Sequence, residues 1–324
     1  MKTVSILVPE SSVMQAIAGS KYLFSIANRF LAESGKPPLF HVQLAGATRE
    51  VKLDDGAFTI TADVLIEEVE KTDLVIIPPL FGQMEEAVAL NQKLAPWINE
   101  QYQKGAEVAS LCLGAFLLAS TGLLEGKKCS THWGYIGQFR QMYPEVEVVD
   151  GSIITEENRL YSSGGANSYW NLLLHILEKH THREIAVTAA KFFAIDIDRN
   201  SQSAFVIFQG QKSHKDAEVL KAQEYIEQNL SAKTGVDELA GRVAVGRRSF
   251  ERRFKTATGN TVLEYIQRVK IESAKRYLEN SRSTVNEVMM EVGYSDTKAF
   301  RTIFRKITGL TPVEYRNKYY KASS

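Results

Sequence analysis

The chain has 324 residues, of which 44% are apolar and 24% charged. That balance excludes a disordered, collagen-like or disulfide-scaffold protein and sets an expectation of two domains. The net charge of +1 conceals a division: residues 1–210 carry 24 acidic against 17 basic side chains, and residues 211–324 carry 22 basic against 14 acidic. A basic half points toward nucleic acid or another anionic surface as its partner. The two cysteines, Cys112 and Cys129, suit a reducing compartment. The longest apolar run, Val108 to Ala119, is too short to span a bilayer. The opening MKTVSILVPE lacks the core and cleavage site of a signal peptide, so a cytoplasmic location with no membrane association is expected.

In chain order, apolar runs and amphipathic stretches alternate through the first 180 residues. Strands are expected at Val4–Val8, Phe40–Leu44, Leu74–Pro78 and Glu107–Leu111, with helices at Val13–Leu31, Glu85–Glu100 and Gly114–Ser120. Short hairpins are expected to decorate them near 51–61 and 152–161. Alternating strand and helix predicts an α/β domain around a mostly parallel sheet, whose sites form at the carboxyl ends of the strands.

Cys112 falls at such an end. In VASLCLGAF a buried strand runs into the cysteine and then into a helix, with Ser110 and Gly114 two residues to either side. Small residues there are what a nucleophile elbow requires, because its sharp turn brings backbones close together. His132, in CSTHW, is a candidate neighbour, and Glu10 follows the first strand. Gly164 and Gly165 end a later strand, where they could offer backbone N–H groups to a pocket or permit close packing. Three readings are open for Cys112: a pocket residue contacting a ligand, a nucleophile, or simple core packing. No spacing of Cys and His suits a metal and no phosphate-binding glycine loop appears, so neither metal nor cofactor is expected.

The basic half repeats itself. FERRFKTATGNTVLEY (250–265) and FRTIFRKITGLTPVEY (300–315) share seven of sixteen residues at an offset of 50. Each copy reads as helix, tight turn, helix: Val236–Ala244 then Arg247–Ala257, and Val285–Val292 then Thr297 to about Thr308. Ser295 or Asp296 is placed to cap the last of these. The second helices set Phe250, Phe254 and Ala257, or Phe300, Ile303, Phe304 and Ile307, on one stripe. The opposite face carries Arg247, Arg248, Glu251, Arg252 and Lys255 in the first copy and Thr297, Lys298, Arg301, Thr302 and Arg305 in the second. Arginine can read guanine in the major groove, while lysine and threonine hold phosphates. Two such units bind duplex DNA on neighbouring groove faces about 34 Å apart, with the helix Val262–Glu279 between them.

On these residues the stretch 217–318 resembles the AraC/XylS double helix-turn-helix domain, most specifically in VNEVMMEVGYSDTKAFRTIFRKITGLTPVEYR. It departs from that pattern at Gly246, where a capping serine is usual, at Thr261-Val262 and at Met289-Met290. Residues 3–180, through ASLCLGAFLLASTGLLEGKKCSTHW and YSSGGANSYWNLLLHILE, resemble the ThiJ/PfpI group of amidotransferase-like proteins, which have a flavodoxin-like fold. The fusion is similar to the GlxA-like transcriptional regulators, with IDIDRNSQSAFV resembling their connector. The resemblance implies a sensor domain at 1–195, a connector at 196–216 and a DNA-binding domain at 217–324 with helix-turn-helix motifs at 236–257 and 285–307. It further implies a small-molecule effector, transcription activation through RNA polymerase and a homodimer. Catalytic relatives place His after the elbow cysteine, an acid after the first strand and an aspartate late in the domain. Here Leu113 follows the cysteine, Gln15 is nearest by register to the acid, and Asn171 replaces the aspartate, so no enzyme is expected. Two alternatives stay open: a DNA-tethered cysteine hydrolase or deglycase using Cys112, and a redox sensor in which its oxidation replaces ligand binding.

Overall fold

A computed structural model describes residues 1–320 except Ser213 and Lys233, so the last four residues of the expected DNA-binding domain lie outside the described residues. The chain divides into two compact units that meet between Gln202 and Ser203. The charge division falls at the same place, because residues 203–210 carry no charged side chain.

The first unit is laid down as β1 (Lys2–Leu7), α1 (Met14–Glu33), β2 (Phe40–Gly46), β3 (Glu50–Leu53), β4 (Phe58–Thr61), β5 (Val64–Leu65), β6 (Leu74–Ile77), α2 (Met84–Leu90), α3 (Leu94–Gln103), β7 (Glu107–Ser110), α4 (Gly114–Ser120), β8 (Lys128–Cys129), α5 (Ile136–Met142), β9 (Glu147–Val148), β10 (Ile154–Glu157), β11 (Leu160–Ser163), α6 (Tyr169–His180) and α7 (Arg183–Phe193). Seven strands form one sheet in the order β10-β11-β7-β6-β1-β2-β5, parallel throughout except for β10. The central strands are apolar on both faces, as a sheet covered on both sides demands: Val4, Ile6, Val75, Ile76 and Val108 are wholly buried. One face packs against α1, α6 and α7 through Phe24, Leu172 and Ile176, and the other against α2 to α5 through Phe116, Ile98 and Phe139. This is the flavodoxin-like arrangement expected.

Two expectations need correction. The single helix at Glu85–Glu100 is two helices. Asn91 ends α2 by giving its amide to the Ala87 and Glu10 carbonyls while accepting from the Glu10 N–H. Pro96 then sits in the first turn of α3, a place that needs no N–H, whereas inside a continuous helix its ring would clash with the preceding turn. The hairpin near 152–161 is not a decoration, since β11 pairs in parallel with β7 and belongs to the main sheet.

The second unit contains α8 (Ala217–Gln228), α9 (Val236–Arg242), α10 (Arg247–Thr258), α11 (Val262–Asn280), α12 (Val285–Glu291), α13 (Thr297–Thr308) and α14 (Pro312–Tyr319). It has two cores. One gathers Val219, Ile226, Leu239, Phe250, Phe254 and Tyr265, the other Leu278, Val288, Met289, Phe300, Phe304 and Tyr315, and α11 contributes to both. Among the described residues of either unit, no helix is long and apolar enough to cross a membrane.

Each residue shared by the two repeats has the same structural task in both. The phenylalanines fill the cores. Thr258 and Thr308 return their hydroxyls to the carbonyls of Phe254 and Phe304, both at 2.8 Å. Gly259 and Gly309 end α10 and α13 at φ +70° and +76°, a left-handed turn that favours glycine. Thr261 with Glu264, and Thr311 with Glu314, form reciprocal capping boxes on the next helix. Tyr265 and Tyr315 stack edge-on against Phe254 and Phe304 and donate their hydroxyls to Glu227 and Glu279.

Candidate functional site

The outward faces of α10 and α13 are near copies. Phe250, Phe254 and Thr258 are buried along α10, as are Phe300, Phe304 and Thr308 along α13, and the residues between alternate in exposure identically. Arg248, Arg252, Lys255, Lys298, Arg301, Thr302 and Arg305 are exposed, and Thr297 is half-buried in the first turn of α13. Among the described residues none of the basic ones makes a salt bridge, so their charges face outward. Arg247 differs: it bonds Asp237 at 2.9 Å and lies 3.6 Å from Glu251. Such exposed pairs are weak and can be exchanged for a phosphate. The inward-turned Arg253 is structural. It holds Asp216 through two bonds of 2.7 and 2.8 Å and also bonds Glu218, clamping the start of α8 onto α10. The guanidinium holds the Asp216 carboxyl below its usual range, and a bond from the backbone N–H of Glu218 itself, aided by the guanidinium, does the same for the Glu218 carboxyl. Asp296 caps α13 by accepting from the Ala299 N–H at 2.6 Å. Gly246, at the matching place on α10, has no side chain to offer.

In the first unit, β1 lies where the strand order reverses, so a crevice is expected beyond the carboxyl ends of β1 and β6. The loop after β1 is laced to the loop after β6: Val13 N–H to the Pro79 carbonyl at 2.9 Å and Phe81 N–H to the Ser11 carbonyl at 2.6 Å. Cys112 lies two residues past the end of the neighbouring β7 with φ +51°, a left-handed conformation rare for a residue with a side chain. The elbow predicted from Ser110 and Gly114 is present. A Cβ on Gly114 would come within 2.6 Å of the Ile77 and Pro78 carbonyl oxygens.

The chemistry at the elbow is muted. Cys112 is 4% exposed, and burial pushes its thiol up to about 12, only partly offset by the Leu113 N–H. Its own N–H is given to Ser163 Oγ at 3.1 Å and its carbonyl accepts from Thr131 Oγ1 at 3.2 Å. His132 makes no hydrogen bond to it among the described residues. The Nδ1 of His132 accepts from the Gly134 N–H at 3.1 Å, and its ring packs on Trp133 and Tyr135. Burial pushes this imidazole's pKa down, favouring the neutral form. Glu10 is exposed, its backbone tied at both ends to Asn91. Gly164 spends its N–H on the Ile153 carbonyl, and a Cβ there would collide with the Gln202 side chain. Gly165 has φ +69°, with Ser168 Oγ 2.6 Å from where a Cβ would stand. The two glycines therefore serve close packing. Cys129 is buried and both cysteines are free thiols. No group of three or more His, Cys, Asp or Glu fit for a metal occurs among the described residues.

Sequence reasoning missed Ser163, Thr131 and Gln202, which support the elbow from 19 to 90 residues away along the chain. It also left Arg253 unassigned, although an arginine one residue off the exposed stripe was the available signal.

Residues 26–179 match the DJ-1/PfpI family, and residues 239–318 match a helix-turn-helix domain family. The chain is 26% identical over 272 residues to the HTH-type transcriptional regulator GbdR of Pseudomonas aeruginosa, covering 83% of this chain and 72% of that protein. It is 24% identical over 315 residues to the HTH-type transcriptional regulator CdhR of the same species, covering 96% and 90%. The first unit has the fold of Drosophila melanogaster DJ-1beta, with a TM-score of 0.51 at 18% identity over 60% of this chain and 98% of that one. The chain thus carries a DJ-1/PfpI-family domain ahead of a helix-turn-helix domain with two basic-faced units, and along most of its length it is similar to HTH-type transcriptional regulators.

Proposed function

We propose that this DNA-binding regulator reads its operator with α10 and α13 in successive major-groove faces. In this reading Arg248, Arg252, Arg301 and Arg305 contact bases, while Arg247, Lys255, Thr297, Lys298 and Thr302 contact phosphates. The observation that carries it is the matching exposure pattern of Phe250–Thr258 and Phe300–Thr308, with basic side chains on each outer face that, Arg247 apart, make no salt bridge among the described residues. Arg301→Ala is expected to relax preference at one base pair by about 1–3 kcal/mol, and Lys255→Ala to weaken binding evenly across sequences. Quantitative binding to duplexes selected from a random pool checks both. An unchanged preference in Arg301→Ala removes that residue from base reading.

The crevice expected beside Cys112 is proposed as the seat of a small-molecule effector, with His132, Glu10, Gly164 and Gly165 around it. A buried thiol, pushed toward its un-ionised form and with no base hydrogen-bonded to it among the described residues, supports a pocket wall rather than a nucleophile. The same observation weighs against hydrolase, deglycase and fast redox readings, all of which need thiolate. The effector acts by binding one state of the protein better than another, through self-association of the first unit as a homodimer or through engagement of the second with DNA and RNA polymerase. Thermal unfolding against amino acids, amines, quaternary ammonium compounds and aldehydes tests this. A compound at a hundred times its Kd stabilises by about 2.7 kcal/mol. The shift is expected to vanish in Cys112→Trp, and a shift that persists moves the effector elsewhere.

A further inference from the structure

Gln202 is the last residue of the first unit, and its side chain is 1% exposed. A buried primary amide is costly unless its polar atoms are bonded, and this one is bonded throughout. Its Nε2 donates to the Thr131 carbonyl at 3.0 Å and the Ser152 carbonyl at 3.1 Å. Its Oε1 accepts from the Trp133 N–H at 3.3 Å, and its own N–H donates to the Gly151 carbonyl at 2.8 Å. The two partners Thr131 and Trp133 flank His132. Thr131 in turn gives its hydroxyl to the carbonyl of Cys112. Gly164 supplies the space, since any side chain there would strike the Gln202 amide. A continuous run of bonds therefore leads from the strained elbow backbone to the final residue of the unit.

The chain that follows is held just as firmly by the second unit. The Ala204 carbonyl accepts from the Tyr319 hydroxyl at 3.1 Å, and the Val206 carbonyl accepts from Lys275 Nζ at 2.5 Å. Lys275 is buried beside Glu272 on α11, and Glu272 accepts from the Phe208 N–H at 3.1 Å. The Phe208 ring packs edge-on against Tyr265. These grips reach both cores of the second unit, through Tyr319 beside Tyr315 and through Tyr265. Gln202, held by the elbow loop, and Ala204, held by the DNA-binding unit, lie two residues apart in the chain.

We propose that Gln202 is the positioning residue that couples the elbow crevice to the DNA-binding unit. The proposal rests on the reading of that crevice as the effector site. A displacement of the 131–133 segment must either carry Gln202 with it or break its bonds. With one intervening residue there is little slack to absorb the movement before it reaches the segment gripped by α11 and α14.

Coupling between two sites is reciprocal, so occupancy of the DNA site must be felt at the elbow. The full-length chain is alkylated with iodoacetamide, with and without a saturating duplex selected from a random pool, and modification at Cys112 is followed by peptide mass. In the unaltered chain the duplex is expected to change the Cys112 rate by about fivefold or more, the lower end of ordinary allosteric coupling. Gln202→Met fills the same volume without the bonds. It is expected to bind the duplex within about twofold of the unaltered chain and to abolish the rate change. Thr131→Val breaks the next link without touching Gln202 and is expected to do the same, which keeps the test valid if Gln202→Met does not fold. A duplex-dependent change that survives in both variants, or no change in the unaltered chain, overturns the proposal. Failure of the effector reading has a separate signature, a ligand-induced melting shift that persists in Cys112→Trp.

Discussion

A cysteine at a strand-to-helix elbow is an invitation to read chemistry, and at position 112 burial decides against it. The thiol is enclosed and pushed up to about 12, and the one histidine nearby in sequence spends its Nδ1 on its own turn. Reaction with iodoacetamide requires the thiolate, so the rate at Cys112 is expected to climb about tenfold per pH unit between pH 7 and 9 without levelling. A plateau below pH 9, measured by peptide mass after timed quenching, would reveal a stabilised thiolate and return the nucleophile to consideration. The φ of +51° is kept even so. Ser163 and Thr131, which bond the Cys112 N–H and carbonyl, hold that backbone in place whether or not the sulfur reacts.

At the scale of the element, the two recognition helices differ most at their starts. Asp296 caps α13 with a 2.6 Å bond, while Gly246 leaves the first turn of α10 without one. A Cβ at Gly246 meets open space, and its backbone is already extended, as a cap requires. Gly246→Ser is therefore expected to stabilise the second unit by a few tenths of a kcal/mol, and Asp296→Ala to destabilise it by about 1 kcal/mol. Denaturant unfolding followed by far-ultraviolet circular dichroism measures both, and opposite signs are the discriminating result. The helices were legible in the sequence because their signals are local: phenylalanines at helical spacing, a left-handed glycine, a threonine three residues before a glutamate. The elbow was legible for the same reason, through Ser110 and Gly114. What escaped was non-local. Asn91 divides one expected helix into two because its amide is needed by Glu10, 81 residues earlier. The strand Leu160–Ser163 joins the main sheet through β7, some fifty residues back. Gln202 is held by partners 50 to 71 residues upstream, and nothing adjacent to it announces the role.

On the scale of the whole molecule, charge and structure divide at one place. The acidic surplus belongs to the unit ending at Gln202 and the basic surplus to the unit that follows. Binding is accordingly expected to weaken as salt rises, with a log–log slope set by the phosphates neutralised. Replacing Lys255 and Lys298 together with alanine should flatten that slope by about 2 without altering which duplex is preferred. Titrations between 50 and 200 mM salt would show it, and an unchanged slope would place both lysines off the DNA.

The division of labour along α10 and α13 has a consequence for how such a protein changes over time. All seven residues common to the two copies hold the scaffold together, and none belongs to the outward face proposed to meet DNA. Substitutions at that exposed face fall where stability responds by no more than about 0.5 kcal/mol. The molecule's address in a genome and its capacity to fold are thus separate traits written on opposite sides of the same helices, and drift can rewrite the first without endangering the second.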